Sequence, residues 1–434
     1  MTIVGLDDTD SRTRGMCTTY AAALLGERVR AAGGRVERLL LVRLNPAVEH
    51  KTRGNAALAV HCDLAADRAF DLAVDLVGGL AETEDPHTNP GVVAVDEPGD
   101  DRAWLGRVAR GTVRAYLDLD ADVREPLDAR GIAHRGWGTG QGLVGATAAV
   151  GAWHGFDADA PADWPTDWTY ECISYRARER WGTDREVDRD SVFAAAEARY
   201  PTVWDTVDRE AREAVCVPHT PGPVLHGIRG DDPDAVRAVA DAIESEPVER
   251  RDLFVTNQGT DAHLRDGTPG EIADGRAYRL TGEVVVAPET RAGGHVFFAL
   301  GWPDSAVPDR ECVAFEPTKR FRDRVRALRA GDRVTACGEV SDGTLKLEKI
   351  AVRERVTTER VTPECPECGR RMESAGRDAG YRCRDCGTTA DGKVGRPIER
   401  EIEEGWYEVP PRARRHISKP LVRGGFDAPV HPER

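Results

Sequence analysis

Hydrophobic residues in the first 135 positions fall into short apolar runs and longer stretches with helical spacing. The apolar runs predict buried strands at residues 2–6, 36–44, 56–62 and 92–95. Apolar positions that repeat every three or four residues predict helices at 19–32, 65–80 and 102–119. Because strands alternate with helices, residues 1–135 are predicted to form an α/β domain.

A glycine-rich stretch at residues 136–142 opens an apolar helix that runs to about Ala152. This stretch is either a phosphate-binding turn or a flexible connection, since it matches neither the GxxxxGK[ST] pattern nor the dinucleotide fingerprint. Residues 136–275 then mix short apolar strands with amphipathic helices, which predicts a second domain of α+β type.

From residue 276 the chain turns into short β-rich segments joined by glycine-containing turns. One helix interrupts them before the fourth strand, and its polar face carries Lys319, Arg322 and Arg326. Five strands with a helix before the fourth is the order of an OB-fold, a barrel that often binds nucleic acid. We therefore predict an OB-fold for residues 276–356.

Two CxxC turns near the C-terminus, Cys365-Pro-Glu-Cys368 and Cys383-Arg-Asp-Cys386, are separated by 14 residues. This spacing is typical of a zinc ribbon, in which four thiolates surround one tetrahedral Zn²⁺. Two disulfides or free thiols are the alternative, and a reduced cytoplasm disfavours the disulfides. A site closed by four cysteines is structural, so residues 360–392 are predicted to be a zinc ribbon.

Charge and composition indicate the conditions in which the protein works and its location in the cell. The chain has 60 Lys and Arg against 75 Asp and Glu, a net charge of −15, and only six of the basic residues are lysines. This combination indicates adaptation to high salt, where a Debye length of about 3 Å lets an acidic surface approach nucleic acid. No apolar run reaches the roughly 20 residues of a membrane span and no signal peptide is evident, so we expect a cytoplasmic protein.

The segment from residue 393 to 434 is predicted to be a weakly folded basic tail. Its basic residues, with no acid among them between residues 410 and 425, are Arg412, Arg414, Arg415, Lys419 and Arg423. Such a cluster either contacts a phosphate backbone or is a solvated tail.

Three carboxylates stand close together after the first strand, at Asp7, Asp8 and Asp10. Such crowding of like charge is costly unless a divalent cation neutralises it, and Mg²⁺ bound to phosphate oxygens is the natural candidate. Thr18 would begin the following helix, where backbone N–H groups favour phosphate. The alternative is a solvated acidic turn followed by an ordinary helix cap.

Two further polar segments are candidates for binding. Lys51, one of the few lysines, lies in a polar turn where it either contacts phosphate or is solvated. Residues 256–263 concentrate polar groups after a predicted strand, and Glu171 and Tyr175 lie on another strand that could face the same cleft. Ordinary loop polarity is the alternative there.

Several of these motifs together resemble one known family. VGLDDTDS and RGMCTTY near the N-terminus, RLNP and KTRGN at residues 43–55, TNQGTDAH at 256–263, FEPTKRFR at 315–322 and the zinc ribbon are similar to the archaeal agmatinylcytidine synthetases of isoleucine tRNA, TiaS. The resemblance spans nearly the whole chain. It implies that ATP is used to join agmatine to C2 of the wobble cytidine in a CAU anticodon.

The resemblance also implies roles for domains and residues. Residues 1–135 would be a kinase-like domain in which Asp7, Asp8 and Asp10 hold the magnesium of ATP and Thr18 is autophosphorylated. The residues expected at the ATP phosphates are Ser11, Arg14, Lys51 and Arg53.

Residues 136–275 would be a ferredoxin-like domain for agmatine, with candidate ligands Glu171, Tyr175, Asp261 and His263. The barrel, ribbon and tail would bind tRNA through Lys319, Arg322, Arg326, Arg412 and Arg415. A non-catalytic nucleic-acid-binding protein is the main alternative, but that function does not explain the acidic motif. An enzyme that uses another amine is the second rival.

Overall fold

The computed structural model describes residues 1–48, 55–97, 99–157, 160–303, 305–377 and 379–434. In the first 260 residues, its strands are β1 (Thr2–Asp7), β2 (Val36–Arg43), β3 (Ala56–Cys62), β4 (Gly91–Asp96), β5 (Ala133–Gly136), β6 (Thr169–Arg176), β7 (Val203–Trp204), β8 (Val224–Gly230) and β9 (Val248–Thr256). The accompanying helices are α1 (Thr18–Ala31), α2 (Ala66–Leu80), α3 (Arg102–Arg114), α4 (Glu125–Arg130), α5 (Gly142–Gly155), α6 (Arg189–Arg199) and α7 (Pro233–Ala242).

These strands form one sheet in the order β5-β4-β1-β3-β2-β9-β6-β8-β7. Strand β1 pairs antiparallel with β3 and β4, whereas β2 pairs parallel with β9, more than 200 residues later. The mixed α/β architecture predicted from the alternating pattern is confirmed. The sheet crosses the predicted boundary at residue 135, and helix α5 packs on the first half of the sheet beside α3.

Both faces of β1 are buried, which explains its unbroken apolar run. Ile3 packs in a core with residues of α3 and α5, while Val4 and Leu6 pack in a second core with residues of α1 and α2. The helices therefore cover both faces of the strand that leads into the acidic motif, and they hold its end rigidly in place.

The next strands close into a barrel. They are β10 (Leu264–Asp266), β11 (Arg276–Thr290), β12 (Val296–Gly301), β13 (Arg310–Ala314), β14 (Arg333–Ser341) and β15 (Thr344–Glu354). Pairing runs β11-β12-β13-β15-β14 and back to β11, so five of them form a closed ring. Helix α8 (Phe321–Arg326) lies between β13 and β14 in the chain and buries Phe321 and Val325. The predicted five-stranded barrel is confirmed.

The C-terminal strands are short. They are β16 (Thr358–Val361), β17 (Glu373–Ser374), β18 (Tyr381–Arg382), β19 (Thr389–Ala390), β20 (Val394–Pro397), β21 (Gly405–Glu408) and β22 (Val430–His431). Strands β17, β18 and β19 form a small sheet between the two CxxC turns and just after them. None of the helices in the described ranges is long and apolar enough to cross a membrane.

The prediction of a weakly folded tail is wrong. Strand β21 extends the barrel sheet by pairing antiparallel with β15. Trp406, Tyr407 and Leu421 are buried, and Arg414 is buried in ion pairs. The apolar residues of the tail are dispersed among charged residues, so no apolar run in the sequence indicated that this segment packs against the barrel.

Candidate active site

A cavity of about 370 Å³ lies where the end of β1, the start of α1 and the inner strands of the large sheet meet. Asp7, Asp8, Asp10 and Thr18 line one part of it, and Glu171 lines another. The structure therefore brings the acidic motif and one predicted agmatine ligand to the same space, although they come from opposite halves of the sheet.

The acidic motif is tightly held. The backbone N–H of Asp8 donates to Asp7 Oδ1 (2.8 Å), and the N–H of Asn89 donates to Asp8 Oδ2 (2.7 Å). Burial, followed by the neighbouring charges of Asp8 and Asp10, raises the pKa of Asp7 well above its ordinary value. A bound cation would relieve this crowding, although the clusters of described residues whose ligand atoms all lie within 4.8 Å of one another are the four zinc-ribbon cysteines and Asp261, His263 and Glu348.

Helix α5 approaches the motif more closely than any side chain on it would allow. A Cβ added at Gly145 would lie 1.9 Å from Asp7 Oδ2, and one at Gly142 would lie 2.9 Å from the Asp7 carbonyl oxygen. Glycine is therefore required where the helix passes the carboxylate. Upstream, the N–H groups of Thr139, Gly140 and Gly142 already donate within the protein, which favours a structural connection over a phosphate cradle.

Thr18 is the first residue of α1 and is almost completely buried. Its hydroxyl lies 3.1 Å from the Thr9 hydroxyl, which donates to it. The side chain lines the cavity together with the three aspartates.

The residues predicted at the ATP phosphates are placed differently. Ser11 donates to Asp85 Oδ2 (2.6 Å), and Arg14 forms an exposed ion pair with Glu84. Neither is among the residues that line the cavity. Lys51 and Arg53 lie outside the described residues.

Glu171 belongs to a buried polar chain on the far wall. Gln258 Nε2 donates to Glu171 Oε2 (2.5 Å), and Gln258 Oε1 lies 3.1 Å from His416 Nδ1. An Arg43 nitrogen lies 3.9 Å from Glu171 Oε2. Tyr175 is fully buried behind this wall and packs edge-on against Tyr20, with ring centroids 5.3 Å apart.

Asp261 and His263 do not line this cavity. Both Asp261 oxygens lie 2.7 Å from Lys349 Nζ, and His263 Nε2 lies 3.1 Å from Glu348 Oε1. These two pairs fasten the loop after β9 to barrel strand β15. Asp261, His263 and Glu348 are close enough to share a metal, but the ammonium of Lys349 already supplies the neutralising charge.

The cavity residues that were not predicted include Arg43 at the end of β2, Arg229 in β8 and His416 in the tail. Burial lowers the pKa of Arg43, and burial together with Arg43 and Arg229 lowers the pKa of His416 well below its ordinary value. Arg43 opens the RLNP motif, so its position carried a signal. No local pattern marks Arg229 or His416.

The four zinc-ribbon cysteines meet as predicted. One sulfur from each of Cys365, Cys368, Cys383 and Cys386 lies within 4.8 Å of the others. Burial acts to raise the pKa of Cys365, but N–H groups of Cys368 and Glu367 outweigh it and bring that pKa to about 6. The N–H of Arg370 acts to lower the pKa of Cys368, but neighbouring sulfurs outweigh it and raise that pKa, and neighbouring sulfurs bring the pKa of Cys386 to about 12. A thiolate is therefore favoured at Cys365 and disfavoured at Cys368 and Cys386 until Zn²⁺ binds.

The basic residues predicted to bind tRNA are all near acids of their own chain. Lys319 Nζ lies 2.5 Å from Glu316, Arg322 lies 3.6 Å from the same carboxylate, and Arg326 pairs with Asp323. In the tail, Arg412 pairs with Glu213 (3.0 Å) and Arg415 with Glu339 (2.5 Å). Their local positive charge is therefore weaker than the sequence suggested.

Comparison with known proteins agrees with this organisation. The model of the TiaS TCKD domain matches residues 3–65, that of the TiaS FLD domain matches 140–263, and that of the TiaS C-terminal zinc ribbon matches 362–402. The 2-agmatinylcytidine synthetase TiaS of Haloquadratum walsbyi, which is named for an isoleucine tRNA, is 50% identical over 472 aligned positions and covers 100% of both chains. The TiaS of Methanosarcina mazei is 44% identical and covers 97% of each chain.

Solved structures give the same result over the full length. The crystal structure of TiaS in complex with this isoleucine tRNA and ATP superposes with a TM-score of 0.86 at 41% identity, covering 100% of this chain and 99% of that one. The complex of TiaS with the same tRNA, AMPCPP and agmatine gives 0.84 at 39% identity with the same coverage. The chain therefore belongs to the TiaS family of 2-agmatinylcytidine synthetases, which act on isoleucine tRNA.

Proposed function

We propose that this protein uses ATP to join agmatine to C2 of the wobble cytidine in the CAU anticodon of isoleucine tRNA. The observation that carries the proposal is a single cavity that joins the three aspartates and Thr18 to Glu171 and three arginines. Full-length relatives of the same name, and TiaS complexes with isoleucine tRNA, an ATP analogue and agmatine, support it.

The acidic side of the cavity suits phosphoryl transfer. The C2 oxygen of cytosine is a poor leaving group until it is phosphorylated, so the first task is activation by ATP. We assign Asp7, Asp8 and Asp10 to a magnesium ion that would neutralise phosphate charge, and Thr18 to the autophosphorylated position. Ser11, Arg14, Lys51 and Arg53 remain candidates for contacts with the nucleotide, in a kinase-like domain over residues 1–135.

The opposite wall suits the amine. Glu171 offers a buried carboxylate to the cationic agmatine, in a ferredoxin-like domain over residues 136–275. In that domain β6, β8 and β9 carry helices α6 and α7, an arrangement compatible with this assignment. Asp261, His263 and Tyr175 act from outside the cavity, where they shape the loop and the wall.

The barrel and ribbon provide surfaces for tRNA. The order of the five strands, with α8 before the fourth, supports an OB-fold over residues 276–356, followed by a zinc ribbon at 360–392. Lys319, Arg322 and Arg326 lie on and before α8. Because each has an acidic neighbour, we expect tRNA phosphates to compete with those carboxylates, and Arg412 and Arg415 to contribute less.

A labelled-phosphate assay tests the activation step. Asp8→Asn should lose transfer of terminal phosphate from ATP to protein and to tRNA, because the developing charge loses its metal clamp. Thr18→Ala should lose the protein label. Asp71→Asn, an exposed acid on α2, is the matched control and should behave as wild type.

Mass spectrometry of the anticodon nucleoside, with protein, ATP, magnesium, agmatine and tRNA present, measures the complete reaction. Agmatine-dependent product from wild type and none from Asp8→Asn supports the proposal. Full product from Asp8→Asn would contradict the metal assignment. Tight tRNA binding by wild type without any product would favour the non-catalytic alternative.

A further inference from the structure

The C-terminal segment contributes one wall of the cavity through His416. Main-chain hydrogen bonds fix this segment to the loop after β9: the N–H of Gly259 donates to the His416 carbonyl (2.8 Å), and the N–H groups of Thr260 and Asp261 donate to the Ile417 carbonyl (3.1 and 2.9 Å). Part of the His416 side chain is open to solvent through the cavity, while protein groups surround the rest of the ring. Its position is therefore set by backbone hydrogen bonds to the loop after β9.

The hydrogen-bond chain determines which ring nitrogen of His416 carries the proton. Gln258 Nε2 must be the atom that faces Glu171, because a carboxylate accepts and only the amide nitrogen donates. Gln258 Oε1 then faces His416 Nδ1, so Nδ1 must carry the hydrogen and donate it. In the neutral ring, the lone pair is on Nε2.

The surroundings keep this lone pair available. Arg43 and Arg229 line the same part of the cavity, and their charges add to desolvation in lowering the pKa of the imidazole. Gln258 separates Glu171 from His416 in the chain of hydrogen bonds. The Glu171 carboxylate accepts from Gln258 and lies 3.9 Å from an Arg43 nitrogen. Within the described residues, no hydrogen bond to Nε2 is present.

The ligation needs such an acceptor. When the agmatine nitrogen bonds to C2, the C–O bond between C2 and the activating phosphate breaks, and the electron pair leaves with the phosphate. The amine enters this step uncharged, having left its first proton in solvent, and the bonded nitrogen then carries one proton too many. That proton becomes strongly acidic as the bond forms, so even a weakly basic imidazole can take it.

We propose that His416 Nε2 accepts the proton released by the agmatine nitrogen as it bonds to C2. This inference rests on the proposed function and deepens it. The two arginines beside His416 suit the departing phosphate, and Glu171 suits the approaching cation. The imidazole, both arginines and Glu171 line one cavity, so groups of the charge that the leaving group and the nucleophile require lie near the group that would accept the proton.

The test uses the full chain and separates the two chemical steps. His416→Asn keeps an amide N–H near the position of Nδ1, and with it the bond to Gln258, but removes the Nε2 lone pair. We expect its single-turnover ligation rate to fall by about 10²- to 10⁴-fold, while labelled phosphate still transfers from ATP. His219→Asn, a highly exposed histidine outside the cavity, is the matched control and should ligate normally.

A second variant tests proton transfer itself. In His416→Ala, added imidazoles should restore ligation, and the restored rate should rise with the basicity of the added imidazole. Rescue that follows basicity is not expected if the side chain only supports Gln258. A thermal unfolding midpoint close to that of wild type shows that both variants fold.

Each outcome of these experiments either supports or contradicts the role of His416. Selective loss of ligation with rescue by imidazoles supports the inference. Wild-type ligation by His416→Asn, an equal loss of phosphate transfer and ligation, or loss without rescue each overturns it. Absence of ligation by wild-type protein overturns the proposed function instead, so the two failures are distinguishable.

Discussion

Gly145→Ala should inactivate this protein without unfolding it. The added methyl group would lie 1.9 Å from Asp7 Oδ2 and 2.6 Å from Asp7 Cγ, whereas real Cβ atoms do not come closer than 3.0 Å to such atoms. The carboxylate must therefore move by more than 1 Å. Helix α5 has little room to move instead, because it is packed so closely against α3 that a Cβ at Gly151 would lie 2.1 Å from the Leu105 carbonyl oxygen.

The effects on stability and activity differ in size. Alanine is favoured over glycine in a helix interior by about 1 kcal/mol, while overpacking costs about 1–3 kcal/mol, so the net loss of stability is about 0–2 kcal/mol. A shift of about 1 Å in a group that positions the reaction costs on the order of 100-fold in rate. We expect phosphate transfer to fall about 100-fold while the unfolding midpoint drops by only a few degrees.

Single-turnover transfer of labelled phosphate and calorimetry measure these two quantities. Gly79→Ala is the matched control, since Gly79 also lies in a helix, α2, and a Cβ there would meet nothing within 4 Å. This control should be slightly stabilised and fully active. Near wild-type transfer by Gly145→Ala would refute the argument, and so would a loss of activity that merely follows unfolding.

Three further predictions concern the rest of the molecule. Cys383→Ser should release the zinc and unfold the ribbon while labelled phosphate transfer survives; metal analysis and that assay check this, and a full zinc content would contradict it. Burial, then the charges of Arg38 and His154, lower the pKa of His61 to about 3, so stability should fall as pH drops below about 6.5. In urea unfolding, His61→Gln should lose about 2 kcal/mol less than wild type between pH 7 and 5, and an identical loss would refute this. Arg414→Ala leaves buried acids unpaired and should cost about 3–5 kcal/mol in urea unfolding, whereas Arg412→Ala should cost at most about 1; equal costs would contradict the assignment of a buried role.

Local patterns were enough to predict most of the elements. The apolar run of β1 and the helical spacing of α1 are properties of neighbouring residues, and the structure has them within one or two positions. The parallel pairing of β2 with β9 was not predictable, because it joins residues more than 200 positions apart. That pairing is what makes the two predicted domains share a sheet.

Some residues of the candidate site were likewise predictable from local sequence, and others were not. Asp7, Asp8 and Asp10 were predictable because three carboxylates within four residues are visible in the sequence itself and indicate a binding site. His416 lies among arginines in a segment whose composition indicates disorder, and its partner Gln258 is distant in sequence. Gln258 lies in the TNQGTDAH motif, but only the folded chain brings it to His416, so no local pattern could reveal the pair.

The placement of His416 has a consequence for the order in which a ribosome builds the enzyme. The acidic motif, Glu171 and Arg229 are all synthesised before His416, which follows Arg229 after a further 187 residues. At typical elongation rates this interval is roughly 10–40 s. During that time, the nascent chain holds the residues assigned to ATP activation but lacks one wall of the cavity. If His416 accepts the ligation proton as we propose, ligation has to wait until residue 416 has left the exit tunnel and docked on the loop after β9.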